Sequence, residues 1–191
     1  MSVTLLDLNG DQTTYSREPL PPLRRIWVGF VLAFVCLAAE IAVVGGGAAE
    51  TSEGVAVVYA LITIVSWIYW LSCVHRFHVI LRQLAPYVGG QPTYPITPGR
   101  AVGYHFIPFF NFVWVFKWPS ELSRFVRENS TVSMVSGGVL GLVLLLGLFM
   151  ARLEGFLGFC CLFGVGLYIS SRLRKVMAEH ERGRMAAETF S

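Results

Sequence analysis

The chain has 191 residues, of which 54% are hydrophobic and 14% charged, with a formal net charge of +3. An ordinary soluble domain carries about 25% charged residues, so this composition excludes a conventional water-soluble fold and points to a single membrane unit. The basic residues flank apolar segments and form no continuous stripe, which argues against nucleic acid as a partner and for the lipid bilayer.

Residues 1–22 read as a cytoplasmic tail, with a turn signal at Asn9-Gly10-Asp11 and a stiff approach through Pro19-Leu20-Pro21-Pro22. The tail is polar and carries Asp7, Asp11 and Glu18, which does not match a signal peptide. The first apolar stretch follows Arg24-Arg25 and is expected to stay in place as a signal anchor. Span one is predicted from Ile26 to Val44, stopping at Gly45-Gly46-Gly47. A short outer loop follows with Glu50 and Glu53. Span two is predicted from Val55 to Cys73, with an aromatic belt of Trp67, Tyr69 and Trp70 before His75-Arg76.

Residues 84–132 form a middle segment. Pro86, Gly89-Gly90, Pro92, Pro95, Pro98 and Gly99 predict a loop. Ala101–Trp118 is then almost wholly apolar, interrupted by His105, Asn111 and Lys117. Charge decides whether it crosses. If it does not, fourteen of the fifteen Lys and Arg residues lie on one side and only Arg152 on the other; if it does, the division is seven to eight. The positive-inside rule favours the first arrangement, with both termini in the cytoplasm. The segment is then either a re-entrant hairpin turning near Pro108–Asn111 or a kinked interfacial helix.

Span three is predicted from Met134 to Ala151 and span four from Phe156 to Ser171, joined by a tight turn at Arg152-Leu153-Glu154-Gly155. Gly137-x-x-x-Gly141 and Gly166-x-x-x-Ser170 place small residues where helix backbones can approach closely. Past Ser171 the helix is expected to run on into water through Arg172-Leu173-Arg174-Lys175. The fold class is therefore all-α: four transmembrane helices, residues 23–175, with a re-entrant or interfacial hydrophobic segment between spans two and three and a second cytoplasmic tail at 176–191.

A resemblance falls on the middle segment. Thr97-Pro98-Gly99-Arg100-Ala101-Val102-Gly103, then Ile107-Pro108-x-x-Asn111, then Glu121-Leu122 resemble the bacterial membrane family called domain of unknown function 4328. The likeness covers roughly Trp67 to Ser130 and more loosely all four spans. It departs where Arg100 replaces an aromatic and Val115 a proline. It implies a multi-pass protein of the bacterial plasma membrane and brings no established activity.

The candidate polar residues are few. His75 and His78 lie one helical turn apart, and with His105 they could form a metal or haem constellation. The other reading is an interfacial anchor, and no cofactor is predicted. Glu40 is the one acid inside a span. Intramembrane acids suggest function by default; here a pairing with Arg152 or Tyr59 near the same depth is the favoured account. Asn111 is expected to satisfy backbone groups freed by Pro108. Cys36, Cys73, Cys160 and Cys161 lie in or at the ends of apolar spans and read as small apolar fillers. No nucleophile–base pair, phosphate loop or zinc-protease motif is present. The expected role is a non-enzymatic subunit or scaffold that associates with itself or with another membrane protein. The alternatives are a small channel or transporter using 101–118, and a haem- or lipid-binding membrane protein.

Overall fold

The computed structural model describes residues 2–6, 12–16, 20–45, 53–88, 91–107 and 109–189. The described residues form six α-helices: α1 (Trp27–Gly45), α2 (Glu53–Leu84), α3 (Pro98–Gly103), α4 (Phe110–Asn129), α5 (Gly137–Leu153) and α6 (Gly155–Thr189). Four short antiparallel strands, β1 (Ser2–Leu6), β2 (Gln12–Ser16), β3 (Tyr87–Val88) and β4 (Gln91–Pro92), pair in that order. This pairing adds short strands to the stretch 1–22, for which the sequence predicts only a tail. The expected turns at Asn9-Gly10-Asp11 and Gly89-Gly90, the glycines 46 and 47, Glu50 and Pro108 lie outside the described residues.

Helices α1, α2 and α6 are each long and apolar enough to cross a membrane. Helix α5 has 17 residues and is shorter. At 1.5 Å per residue, α2 and α6 are about 48 and 52 Å long, well beyond a ~30 Å hydrocarbon core. The excess of both lies at the same end as Arg25: the Tyr69 hydroxyl of α2 donates to the Arg25 carbonyl at 2.8 Å, and a Cβ at Gly166 of α6 would stand 3.5 Å from the Ile26 Cδ1. The continuation of α6 past Ser171 was expected. That of α2 from Val74 to Leu84 was not, and its cause is a buried stripe of Val74, Phe77, His78, Ile80, Leu81 and Leu84.

Glycines set the closest helix contacts, with a partner that the sequence reading did not anticipate. A Cβ added at Gly137 would stand 2.1 Å from the Ser120 Cα, and one at Gly141 would stand 2.9 Å from the Phe116 Cα. The Gly137/Gly141 face of α5 therefore receives the backbone of α4. The α5–α6 hairpin closes elsewhere: a Cβ at Gly158 would lie 2.2 Å from the Ala151 nitrogen, and one at Gly147 3.0 Å from Cys161 Cβ. Gly166 seats Trp70 at 3.1 Å, and Ser170 is buried without a hydrogen-bond partner for its hydroxyl.

Helix starts follow local chemistry. Thr97 caps α3 by accepting from the Arg100 N–H at 3.3 Å, with Pro98 at the first turn. Ser136 caps α5 by accepting from Val139 N–H. Between α3 and α4 the chain passes through a 3-10 turn, Tyr104–Phe106, and reverses. The reversal is evident from Trp114, whose indole N–H donates to the Ala101 carbonyl at 3.1 Å while its ring meets Tyr104 edge-on at 4.8 Å. Phe109 opens α4 at φ 61° and ψ −40°, a costly conformation for a residue with a side chain. Helix α4 then runs through Pro119 to Asn129.

Candidate functional site

Two polar centres, at Glu40 and at His78, lie within the apolar body, and neither of these residues lines the cleft between α2, α5 and the reversing segment. The first centre is at the end far from Arg25. One carboxylate oxygen of Glu40 accepts from the Gly155 N–H at 2.7 Å, the Phe156 N–H at 3.3 Å and the Tyr59 hydroxyl at 3.1 Å. The first N–H groups of a helix have no intrahelical acceptor, and the helix dipole favours negative charge there. Glu40 thus caps α6 from a different helix. The expected Tyr59 contact is present. The expected ion pair with Arg152 is absent: no described carboxylate lies within ion-pair distance of its guanidinium. Instead, two backbone donors at the start of α6 hold one oxygen of the carboxylate.

The second centre is His78. It is fully buried, and its Nδ1 lies 2.8 Å from the Tyr94 hydroxyl, with the two rings stacked. Trp118 meets His78 edge-on at 5.6 Å, and Phe125 meets Tyr94 at 5.2 Å. His75 is exposed on the same helix and does not join them. Burial pushes the Tyr94 phenol well above its ordinary pKa, with Glu121 adding to the effect. Since the folded state then holds the Tyr94 proton more tightly than the unfolded chain, stability falls as pH rises above ~10. Tyr94→Phe is expected to remove that share of the alkaline loss in thermal melts. At neutral pH it should cost about 1–3 kcal/mol, because His78 Nδ1 becomes a buried group without a partner.

The cleft has a volume of about 690 Å³ and lies between α2, α5 and the reversing segment. Its apolar walls include Trp67, Leu71, Phe112, Leu145 and Phe149, and its polar groups are His105, Asn111 and Arg152. His105 Nδ1 donates to the Ala101 carbonyl at 2.8 Å. Asn111 bonds its backbone N–H to the Ile107 carbonyl at 3.1 Å, while its side-chain oxygen is buried without a partner. The expectation that this side chain satisfies local backbone is therefore corrected: the backbone closes the turn, and the amide lines the cleft.

Of the remaining candidates, Glu121 is half-buried on α4 and pairs with Arg124. Among the described residues no three His, Cys, Asp or Glu side chains group as metal ligands. Cys36 and Cys73 are buried and all four cysteines are free thiols. The sequence reading missed Tyr94, which sits in a Pro-rich loop, and the apolar walls of the cleft, which only tertiary folding brings together. No family model matches this chain, and neither the curated proteins nor the solved structures contain a match to it.

Proposed function

We propose that this is a four-span membrane protein with both termini in the cytoplasm and a re-entrant helical hairpin, α3–α4, inserted from the cytoplasmic side. Its role on this reading is non-enzymatic: it holds an anionic amphiphile in the cleft and so acts as a lipid-dependent subunit or scaffold in a membrane assembly. The reading rests first on how α4 lies along α5. Ser120 faces Gly137, and Phe116 faces Gly141, so each turn toward the start of α4 moves a turn deeper along α5. Phe109 then stands about 16 Å past the start of α5, roughly halfway through a ~30 Å core.

The tip supports the same reading. Phe106, Phe109 and Phe112 are 70, 86 and 62% exposed, and Ile107 and Val113 beside them are exposed as well. Such a patch in water would be a liability, and in hydrocarbon it is ordinary. The resemblance to domain of unknown function 4328 falls on this hairpin and assigns it no activity.

The single observation that carries the binding reading is the composition of the cleft. Apolar walls suit an acyl chain, and the volume is within the ~300–1,000 Å³ typical of ligand pockets. Arg152 is the lone cation of fifteen on its side of the charge pattern. It lines the cleft with no carboxylate partner among the described residues. An unpaired guanidinium beside hydrocarbon selects an anionic head group. Lipid mass spectrometry of protein purified in mild detergent tests this. The wild type should retain an anionic lipid that Arg152→Gln loses at least tenfold, with melting temperature nearly unchanged. Equal retention by both proteins would overturn the reading.

A further inference from the structure

A second cavity, of about 370 Å³, lies where α6 passes beyond its apolar part. It is lined by Arg172, Lys175, Ala178, Glu179 and Arg182 from α6 and by Thr131, Val132 and Ser133 from the α4–α5 connection. The three cations recur at spacings of three and seven residues, so one face of α6 carries them all. Flanking cations ordinarily scatter around a helix exit as a solvated anchor. Here they converge on a concavity roofed by a second element, and Arg174 and Arg184 lie outside it.

Two observations give the cavity a preferred ligand. Formal charges within it are three positive and one negative, a net of +2. The one carboxylate, Glu179, is occupied: its oxygens accept from both the backbone N–H and the hydroxyl of Thr131. Glu179 therefore fixes the connection in place and neutralises only part of the charge. Arg172 stacks over Tyr168 at 5.1 Å, and its buried Nε has no hydrogen-bond partner among the described residues. Arg182 Nε, by contrast, donates to the Ala178 carbonyl at 3.2 Å. A half-buried guanidinium held by an aromatic face, with a lysine one turn away, suits a tetrahedral oxyanion: Arg gives fixed directional donors and Lys a mobile point charge.

We propose that this cavity binds a phosphate group, with Arg172 and Lys175 as its principal contacts and Arg182 closing the far side. The phosphate could be carried by an anionic lipid or by a small soluble molecule. The position favours the lipid, because Arg172 and Lys175 follow directly on the last apolar turn and sit at head-group level in the four-span arrangement. The site is separate from the Arg152 cleft in residues and in location, so either can fail without the other.

The test uses the full-length protein in nanodiscs of phosphatidylcholine with or without phosphatidylglycerol, and in detergent with inorganic phosphate. Binding is read by native mass spectrometry and by the rise in melting temperature. Lys175→Gln and Arg172→Lys are compared with Arg174→Gln, an exposed cation on the same helix outside the cavity. One cation near a membrane surface contributes on the order of 1 kcal/mol, so Lys175→Gln should weaken phosphatidylglycerol retention about fivefold, and Arg174→Gln far less. Arg172→Lys keeps the charge and should still weaken retention, because the fixed donors are lost. If inorganic phosphate alone stabilises the wild type and not Lys175→Gln, the ligand is a soluble phosphate. Equal losses for Arg174→Gln and Lys175→Gln would reduce the effect to general surface charge and overturn the site. No change in any variant would overturn it as well.

Discussion

Gly137→Ala should strongly destabilise the protein, although a single methyl group is the smallest addition possible. The new Cβ would stand 2.1 Å from the Ser120 Cα and 2.4 Å from its nitrogen, and backbone cannot move aside as a flexible side chain can. Overpacking a tight contact costs about 1–3 kcal/mol and sometimes more, and here it would push α4 away from α5 over the whole length of their contact. Gly141→Leu should act in the same way, since its Cβ would meet the Phe116 ring at 2.5 Å. Gly138 is the matched control. A Cβ there meets nothing within 4 Å, and Gly→Ala at a compatible backbone position gains roughly 0.4–1 kcal/mol by restricting the unfolded chain. Melting in detergent should therefore show Gly137→Ala well below the wild type and Gly138→Ala level with it or above.

Glu40→Ala should be the most damaging single change at the other end of the bundle. It leaves the Gly155 and Phe156 N–H groups and the Tyr59 hydroxyl without their acceptor, at a cost of about 2–4 kcal/mol given that each orphaned donor costs roughly 1–3 and the site is only half-buried. Glu40→Gln retains an acceptor oxygen and should recover more than half of the loss. The variant that discriminates is Arg152→Ala. It removes no hydrogen bond of Glu40 and is expected to fall within ~0.5 kcal/mol of the wild type. A large loss for Arg152→Ala that disappears in the Glu40→Ala background would mean the two side chains meet after all.

These two sites show where the sequence was informative and where it fell short. Apolar run length placed α1 within a residue of its observed start, and the break between two apolar runs at Arg152-Leu153-Glu154-Gly155 gave the turn at Glu154. The spacing of Gly137 and Gly141 announced a close backbone approach, as found. Spacing carries no label for the partner, however, and α4 took the face that the adjacent span seemed to claim. Glu40 and Arg152 are matched in depth, and depth is all that a residue count supplies; the direction of each side chain depends on helix rotation. Polar residues at His75-Arg76 resemble a membrane exit, so the sequence ends span two at Cys73 and gives no length for the helix beyond it. The stripe Val74, Phe77, Ile80, Leu81 and Leu84 shows that the helix continues and buries one face. Tyr94 was invisible for another reason: a tyrosine among prolines looks like a loop residue until His78 is known to be beneath it.

On the proposed arrangement α3 and α4 enter the membrane and return to the same side. Single cysteines at Thr93, Ile107 and Asn129, in a background lacking the four native thiols, test it in sealed cells with a membrane-impermeant maleimide. All three positions lie outside the packed core. Thr93 and Asn129 should label only from the cytoplasm, and Ile107 from neither side. Labelling of Asn129 from outside alone would mean that the segment crosses completely, and labelling of Ile107 from the cytoplasm would mean that it never enters.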